Sequence, residues 1–148
     1  MKYWISVVSN DQVQAGVEGG FIQAAQSKAG PIQALAKGDV IFSYAPGTLF
    51  RGGKILQAFT AIARVADDEA YPTEMSAGAR PWRRRATSLA CDETPIAPLI
   101  SLLDFIRDKA TWEMSLRRGM FEIGNDDARR IAEAVSYTHL TLPTILRV

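Results

Sequence analysis

The stretch LQAFTAIARV, residues 56–65, constrains the fold most. Its side chains alternate, and Phe59, Ala61, Ala63 and Val65 fall on one face, the period-two pattern of a strand with one buried side. Two of those four are alanines, so whatever lies across that face approaches closely, as inside a tightly curved sheet or barrel. The rest of the chain supplies partners for such a strand. KYWISVVS, residues 2–9, sets Tyr3, Ile5 and Val7 against Trp4, Ser6 and Val8. VIFSYAP begins after a turn at Gly38 and Asp39 and is stopped by Pro46 and Gly47. A further strand is predicted from about Pro81 to Cys91, and a short one at MFEI, residues 120–123.

Helical signals fall between the strands. Ser9 or Asn10 caps a short helix through Val17, and VEGGFIQ then reads as a tight turn where the backbone passes close to a neighbour. PIQALA begins with proline in a first turn. Thr94 and Pro95 look like the start of a helix whose Ile96, Leu99, Leu103 and Ile106 share one face, followed by a loop near Trp112. Asn125 opens a last helix, with Asp126 and Asp127 at its positive end and Ala128, Ile131 and Ala132 facing inward. Short non-repeating strands mixed with helices define an α+β domain with a small barrel. The chain's 148 residues suit one domain, since folding at that size buries roughly 70% of the surface.

Composition removes several functional classes. No apolar run approaches the roughly 20 residues of a membrane span, and the N-terminus enters a strand with no signal-peptide pattern, so a soluble, cytoplasmic protein is expected with no membrane partner. GVEGG lacks the spacing and the lysine of a phosphate loop. One cysteine, Cys91, and one histidine, His139, are too few for a Cys/His metal site, and no cofactor is expected. Cys91 reads as a small, partly buried hydrophobe. The acidic run Asp67, Asp68, Glu69 reads as a solvated loop. His139 is the one neutral-pH base available to a nucleophile, which leaves little basis for an enzyme.

The most unusual local composition is RPWRRRATSLA, which groups Arg80, Arg83, Arg84 and Arg85 around Trp82. No acidic residue occurs from Met75 through Cys91, although the whole chain carries only +1. Guanidinium groups make bidentate phosphate contacts and an indole offers a stacking surface, so one reading is a nucleic-acid surface, extended by Arg117 and Arg118. The other is that the arginines coat the exposed face of a strand while Trp82 packs inward. Tyr44, just before a Pro-Gly turn, and Ser9, at the matching end of the first strand, both sit where side chains line a cavity mouth.

In order, YWISVVSND, VEGGFIQ, KGDVIFSYAPG, LQAFTAIARVADDEAY, PWRRR and RRGMFEI resemble the EVE domain family, within the PUA-like superfamily, over about residues 2–134. The resemblance implies a small PUA-like mixed β-barrel with helices around it. It also implies a non-catalytic module that draws a modified base, a cytosine or adenine in DNA or a base in RNA, into an aromatic-lined pocket. Carried onto this chain, that pocket comprises Ser9, Asn10, Gly20, Phe21, Gln23, Tyr44, Pro46 and Trp82, with Arg83, Arg84 and Arg85 on the nucleic-acid backbone. The alternative is a small-molecule or protein-binding module that uses the same cavity without nucleic acid. The chain departs from the family pattern at Gln26, Ser27 and Lys28, where His-Gly-Lys is expected, and at Ser43, where a second tyrosine is common.

The last stretch fits none of this. VSYTHLTLPT is similar to a translated transposase adapter of the kind used in preparing sequencing libraries, which implies a native domain over residues 1–134 and a non-native tail over 135–148. His139 lies in that tail, and with it the argument for catalysis falls away.

Overall fold

The computed structural model of the chain describes residues 1–23, 29–73 and 81–135. His139, Arg80 and the departures at Gln26, Ser27 and Lys28 lie outside them. Strand β1 (Tyr3–Val7) runs parallel to β3 (Val40–Gly47) and antiparallel to β8 (Met120–Ile123). Between β1 and β3 the chain passes through helix α1 (Asn10–Gly19), the short strand β2 (Phe21–Gln23) and helix α2 (Ala29–Ala34), the crossover that a parallel pair requires. β3 then pairs antiparallel with β4 (Ile55–Val65), β4 with β6 (Trp82–Leu89), and β6 with β2, giving the order β2-β6-β4-β3-β1-β8. Two-residue strands β5 (Tyr71–Pro72) and β7 (Thr94–Pro95) attach to β6 and β4. The result is a mixed sheet curled into a half-barrel, with α3 (Asn125–Val135) packed outside it.

The parallel pair is fastened by Asp39, which is buried. Its carboxylate accepts from the Lys2 amide at 2.9 Å, the Trp4 indole Nε1 at 3.0 Å and the Ala36 amide at 2.9 Å. A buried carboxylate is tolerable only with its lone pairs engaged, and here those bonds join the start of β1 to the segment after α2.

The main core lies on the convex side of the sheet. Tyr3 and Ile5, Val40, Phe42 and Tyr44, Phe59 and Ile62, and Phe121 and Ile123 meet Ala128, Ile131, Ala132 and Val135 of α3 there. A second cluster on the concave side joins Trp4, Ile41, Val65 and Met120 to Ile32 and Leu35 from α2 and its end.

Two sequence expectations change. Phe59 does not share a face with Ala61, Ala63 and Val65. Ser43 pairs with Ala61 while Tyr44 pairs with Phe59, so Thr60 is the extra residue of a β-bulge and the alternation inverts across it. Residues 94–106 form no α-helix either: β7 is followed by a 3-10 turn at Ala97–Leu99 and irregular chain. The amides of Asp104 and Phe105, which a helix would direct to carbonyls four residues back, instead donate to the buried Asp127 carboxylate at 2.7 and 2.9 Å. Ile96, Leu99, Leu103 and Ile106 are nonetheless all buried in the main core, so the apolar pattern marked burial without marking the helix. No helix among the described residues is long and apolar enough to cross a membrane.

Candidate functional site

A cavity of ≈ 120 Å³ opens between the concave face of the sheet and helix α1. Its floor is made of small side chains in register across neighbouring strands: Ser6 opposite Ser43, Ser43 opposite Ala61, and Ala63 opposite Ser88, with Ala86 beside them. Gln12, Val13 and Gly16 of α1 form one wall; Phe21, Ile22 and Gln23 of β2, with Arg83 of β6, form the other. One ordered water needs only about 10–15 Å³ of such space, so the cavity has room for a ring-sized group.

The glycines of GVEGGF make this wall possible. Gly20, at φ 73°, ends α1 in the left-handed conformation and lets the chain reverse at once into β2, and its carbonyl accepts from the Ala86 amide at 2.9 Å. A Cβ at Gly16 would stand 2.5 Å from the Phe21 carbonyl oxygen, and one at Gly19 2.5 Å from the Phe21 ring. Phe21 therefore holds its place because the helix beside it has no side chains there.

The polar groups of the cavity are few. Arg83 lays its guanidinium 3.7 Å above the Phe21 ring, and its Nε donates to Gln23 Oε1 at 2.8 Å. The Ser6 and Ser43 side chains are largely sheltered, and both line the cavity. Among the described residues the lining contains no carboxylate, and Arg83 is its one charge. This is an apolar slot with hydroxyl and amide groups and a stacked cation at its wall.

The expected site residues separate into three places. Phe21, Gln23 and Arg83 meet at the cavity, and Gly20 builds the turn beside it. Ser9 and Asn10 do not line it: the Ser9 Oγ donates to Asp11 Oδ1 at 2.5 Å, which holds the Asp11 carboxyl below its usual range, and Asn10 Oδ1 accepts from Gln14 Nε2 at 3.2 Å. Tyr44 and Pro46 line a separate cleft on the convex side with Val7, Gln57, Glu113 and Arg117. Alternation dictates this, because Ser43 faces the cavity and its neighbour must face away. The Tyr44 ring meets Phe59 edge-on at 5.5 Å, and burial, with the Glu113 carboxylate adding to it, pushes its phenol upward.

The Trp-Arg cluster resolves residue by residue. Trp82 is half-buried, packs against the concave cluster around Trp4 and Ile32, and does not line the cavity. Arg84 is completely buried rather than aimed at a backbone phosphate. Its Nε donates to Asp67 Oδ1 at 2.7 Å, its Nη2 to the Asp67 carbonyl at 2.8 Å, and its Nη1 to the carbonyls of Ile32 and Leu35. Asp67 is accordingly a structural anchor and no mere solvated loop residue; its Oδ2 also accepts the Arg85 amide at 2.8 Å. Arg85 is exposed, with its guanidinium 5.1 Å from the Tyr71 ring centre. Arg118 covers Phe121 at 4.0 Å.

Ser6, Ser88 and Gln12 were missed from sequence, whereas Ala61 and Ala63 stood out there as a sign of close approach and Ser43 as a departure from the family pattern, none of them assigned to the site. The available signal was hydroxyls and methyls at strand-interior positions on the face that also carries Trp4 and Ile41. Burial, then the neighbouring Asp92 carboxylate, push the half-buried Cys91 thiol up to about 12, far from a nucleophile's range. Among the described residues no three His, Cys, Asp or Glu side chains are grouped to hold a metal ion.

A mixed half-barrel with a parallel first pair and a helix-covered slot on its concave face is a PUA-like fold. The chain belongs to the EVE domain family, whose model matches residues 2–134. Relatives carry the name UPF0310 protein: one from Mycobacterium avium is 48% identical over 92% of this chain and 99% of its own, and YdcG of Bacillus subtilis is 34% identical over 90% and 92%. Among solved structures, Rpa0253 from Rhodopseudomonas palustris superposes with a TM-score of 0.58 at 16% identity, covering 90% of this chain and 92% of that one. Atu2648 from Agrobacterium tumefaciens gives 0.57 at 14% identity with the same coverage. At those identities the likeness speaks for the fold alone.

Proposed function

We propose that this protein is a non-catalytic nucleic-acid-binding module that takes a modified base into the cavity under α1. The observation that carries the reading is the Arg83–Phe21 stack at the wall of a carboxylate-free slot floored by two sheltered serine hydroxyls. A guanidinium plane backed by an aromatic ring offers its other face to a base, while its remaining N–H groups suit a phosphate or a base edge. Ser6 and Ser43 each donate and accept, so together they read an exocyclic group, and the Ala61 and Ala63 methyls leave space for a small apolar modification. Extruding a base costs a few kcal/mol, which stacking at about 1–3 kcal/mol and the cation must offset.

A panel of short oligonucleotides, unmodified or carrying modified cytosines and adenines, titrated at two salt concentrations, tests this. One modified form is expected to bind tightest, with affinity falling as salt rises. Arg83→Ala and Phe21→Ala should each weaken that form by about 5- to 150-fold. Equal and negligible binding across the panel overturns the reading. Binding of a free small molecule with no affinity for any oligonucleotide replaces it with a small-molecule module.

A further inference from the structure

Three of the protein's exposed large apolar side chains sit within seven residues at the tip of the β3–β4 hairpin: Leu49 at 51%, Phe50 at 60% and Ile55 at 81% exposure. The tip is held firmly. The Thr48 amide donates to the Lys54 carbonyl at 3.0 Å, the Lys54 amide to Thr48 Oγ1 at 2.9 Å, and Gly52 and Gly53 turn the chain at φ 71° and 75°. The Thr48 carbonyl accepts the Asp11 amide at 3.0 Å, which fixes the hairpin to the first turn of α1, and the next two residues, Gln12 and Val13, line the cavity. A hairpin closed by its own bonds and anchored to the pocket helix presents apolar groups to water by construction rather than by fraying.

Its charge indicates what covers it. Along the chain no acidic residue occurs between Asp39 and Asp67, Arg51 and Lys54 flank the apolar tip, and the Arg51 guanidinium lies 5.7 Å from the Phe50 ring centre; the Asp11 carboxylate that reaches the tip is engaged by the Phe50 backbone and the Ser9 hydroxyl. An aromatic ring bracketed by cations suits a polyanion with flat apolar surfaces inside it, which is a stacked duplex. A module that withdraws a base from a duplex leaves a gap in the stack, and proteins that unstack duplexes do so with apolar wedges. We propose that the tip, with Phe50 as the inserted side chain and Arg51 and Lys54 on the flanking phosphates, is the wedge by which this protein opens duplex DNA beside the base it reads. This rests on the base-reading function above and specifies its partner.

The test uses the full chain with two DNAs that carry the same preferred modified base: a single strand, and a duplex with 2-aminopurine next to that base. Wild type is expected to bind both and to raise the 2-aminopurine fluorescence of the duplex. Phe50→Ala should weaken duplex binding by about 5- to 150-fold, the loss of one stacked aromatic, and remove the fluorescence rise while leaving single-strand affinity unchanged. Arg51→Gln should lower the salt slope on duplex by about one. Both side chains are solvent-exposed, so neither variant threatens folding. Unchanged duplex affinity and fluorescence in Phe50→Ala, or an effect of that variant only on self-association, overturns the wedge while single-strand binding keeps the base reading. Failure of wild type to bind either DNA overturns both.

Discussion

Strands β1, β3 and β4 present two faces built from one backbone, and the faces differ mainly in side-chain size. On the convex side Ile5, Phe42, Tyr44, Phe59 and Ile62 are met by α3 and by the 96–116 segment, and a cleft beside Tyr44 and Pro46 stays open. On the concave side the same strands offer Ser6, Ser43, Ala61 and Ala63, and α1 covers these without filling the space. Each buried CH₂ contributes about 0.8 kcal/mol, so a floor of small residues is stability forgone. Only at the far end of that face, where Trp4, Ile41 and Val65 meet Ile32 and Leu35, is it packed as a core. The slot is thus local, bounded by packed structure, and its shape is fixed by what surrounds it.

Adjacent arginines provide the largest test of that division. Arg84 points into the packed end with four hydrogen bonds, whereas Arg83 points at the slot. Arg84→Ala removes one partner of a buried ion pair and takes a donor from three backbone carbonyls, those of Ile32, Leu35 and Asp67, an expected loss of about 3–5 kcal/mol in urea unfolding. Arg83→Ala loses a cation–π contact worth about 1 kcal/mol and should melt near wild type while losing its ligand. Equal melting points for the two variants would erase the distinction.

Much of this division was legible in the sequence, and its failures were local. The strands, the final helix and the buried set Ile96, Leu99, Leu103 and Ile106 follow from apolar periodicity. The Thr60 bulge does not, because one inserted residue inverts the faces of everything after it while leaving the pattern alternating. Residues 94–106 look helical because four buried positions happen to share helical spacing, and the Asp127 carboxylate that captures two of their amides lies some twenty residues away. Of the Trp-Arg cluster the composition was visible and the directions were not: Arg84 is drawn inward by Asp67 and the carbonyls of Ile32 and Leu35, while Arg83 and Arg85 lie against the Phe21 and Tyr71 rings, all partners distant in sequence. Phe21 and Gln23 came from the family resemblance, and the glycines beside them marked only the turn. Ser6 was passed over because a serine within a strand usually carries no function, and Ser43 stood out only as the place of an expected tyrosine.

Substitutions of opposite sense on the two faces form the next test. Phe59→Ala truncates the convex core and should cost about 3–5 kcal/mol. Ala63→Leu adds bulk to the concave floor, where open space receives it, and should cost less than the roughly 1–3 kcal/mol of overpacking a filled core. Oligonucleotide binding should fail only in the second. A stable Ala63→Leu protein that binds as wild type would place the ligand elsewhere.

The smallest effect is expected at alkaline pH, and it belongs to the convex side. Cys91 packs against that core, and burial raises its thiol from 9.0 to about 12; Tyr44, in the same core, is raised from 10.0. Both are groups whose protonated form the fold favours. Below pH 9 the thiol is protonated folded or unfolded, and its contribution to stability is fully present. Above pH 9 the unfolded chain releases that proton while the folded one keeps it, so stability falls as pH rises toward 12. Urea midpoints measured from pH 8 to 11 should therefore decline, Cys91→Ala should flatten the first part of the decline and Tyr44→Phe the later part. Ser6 and Ser43 carry no titrating group in this range, so replacing either with alanine should leave the slope of that decline unchanged; a slope that moves with the serines instead would tie the alkaline response to the cavity.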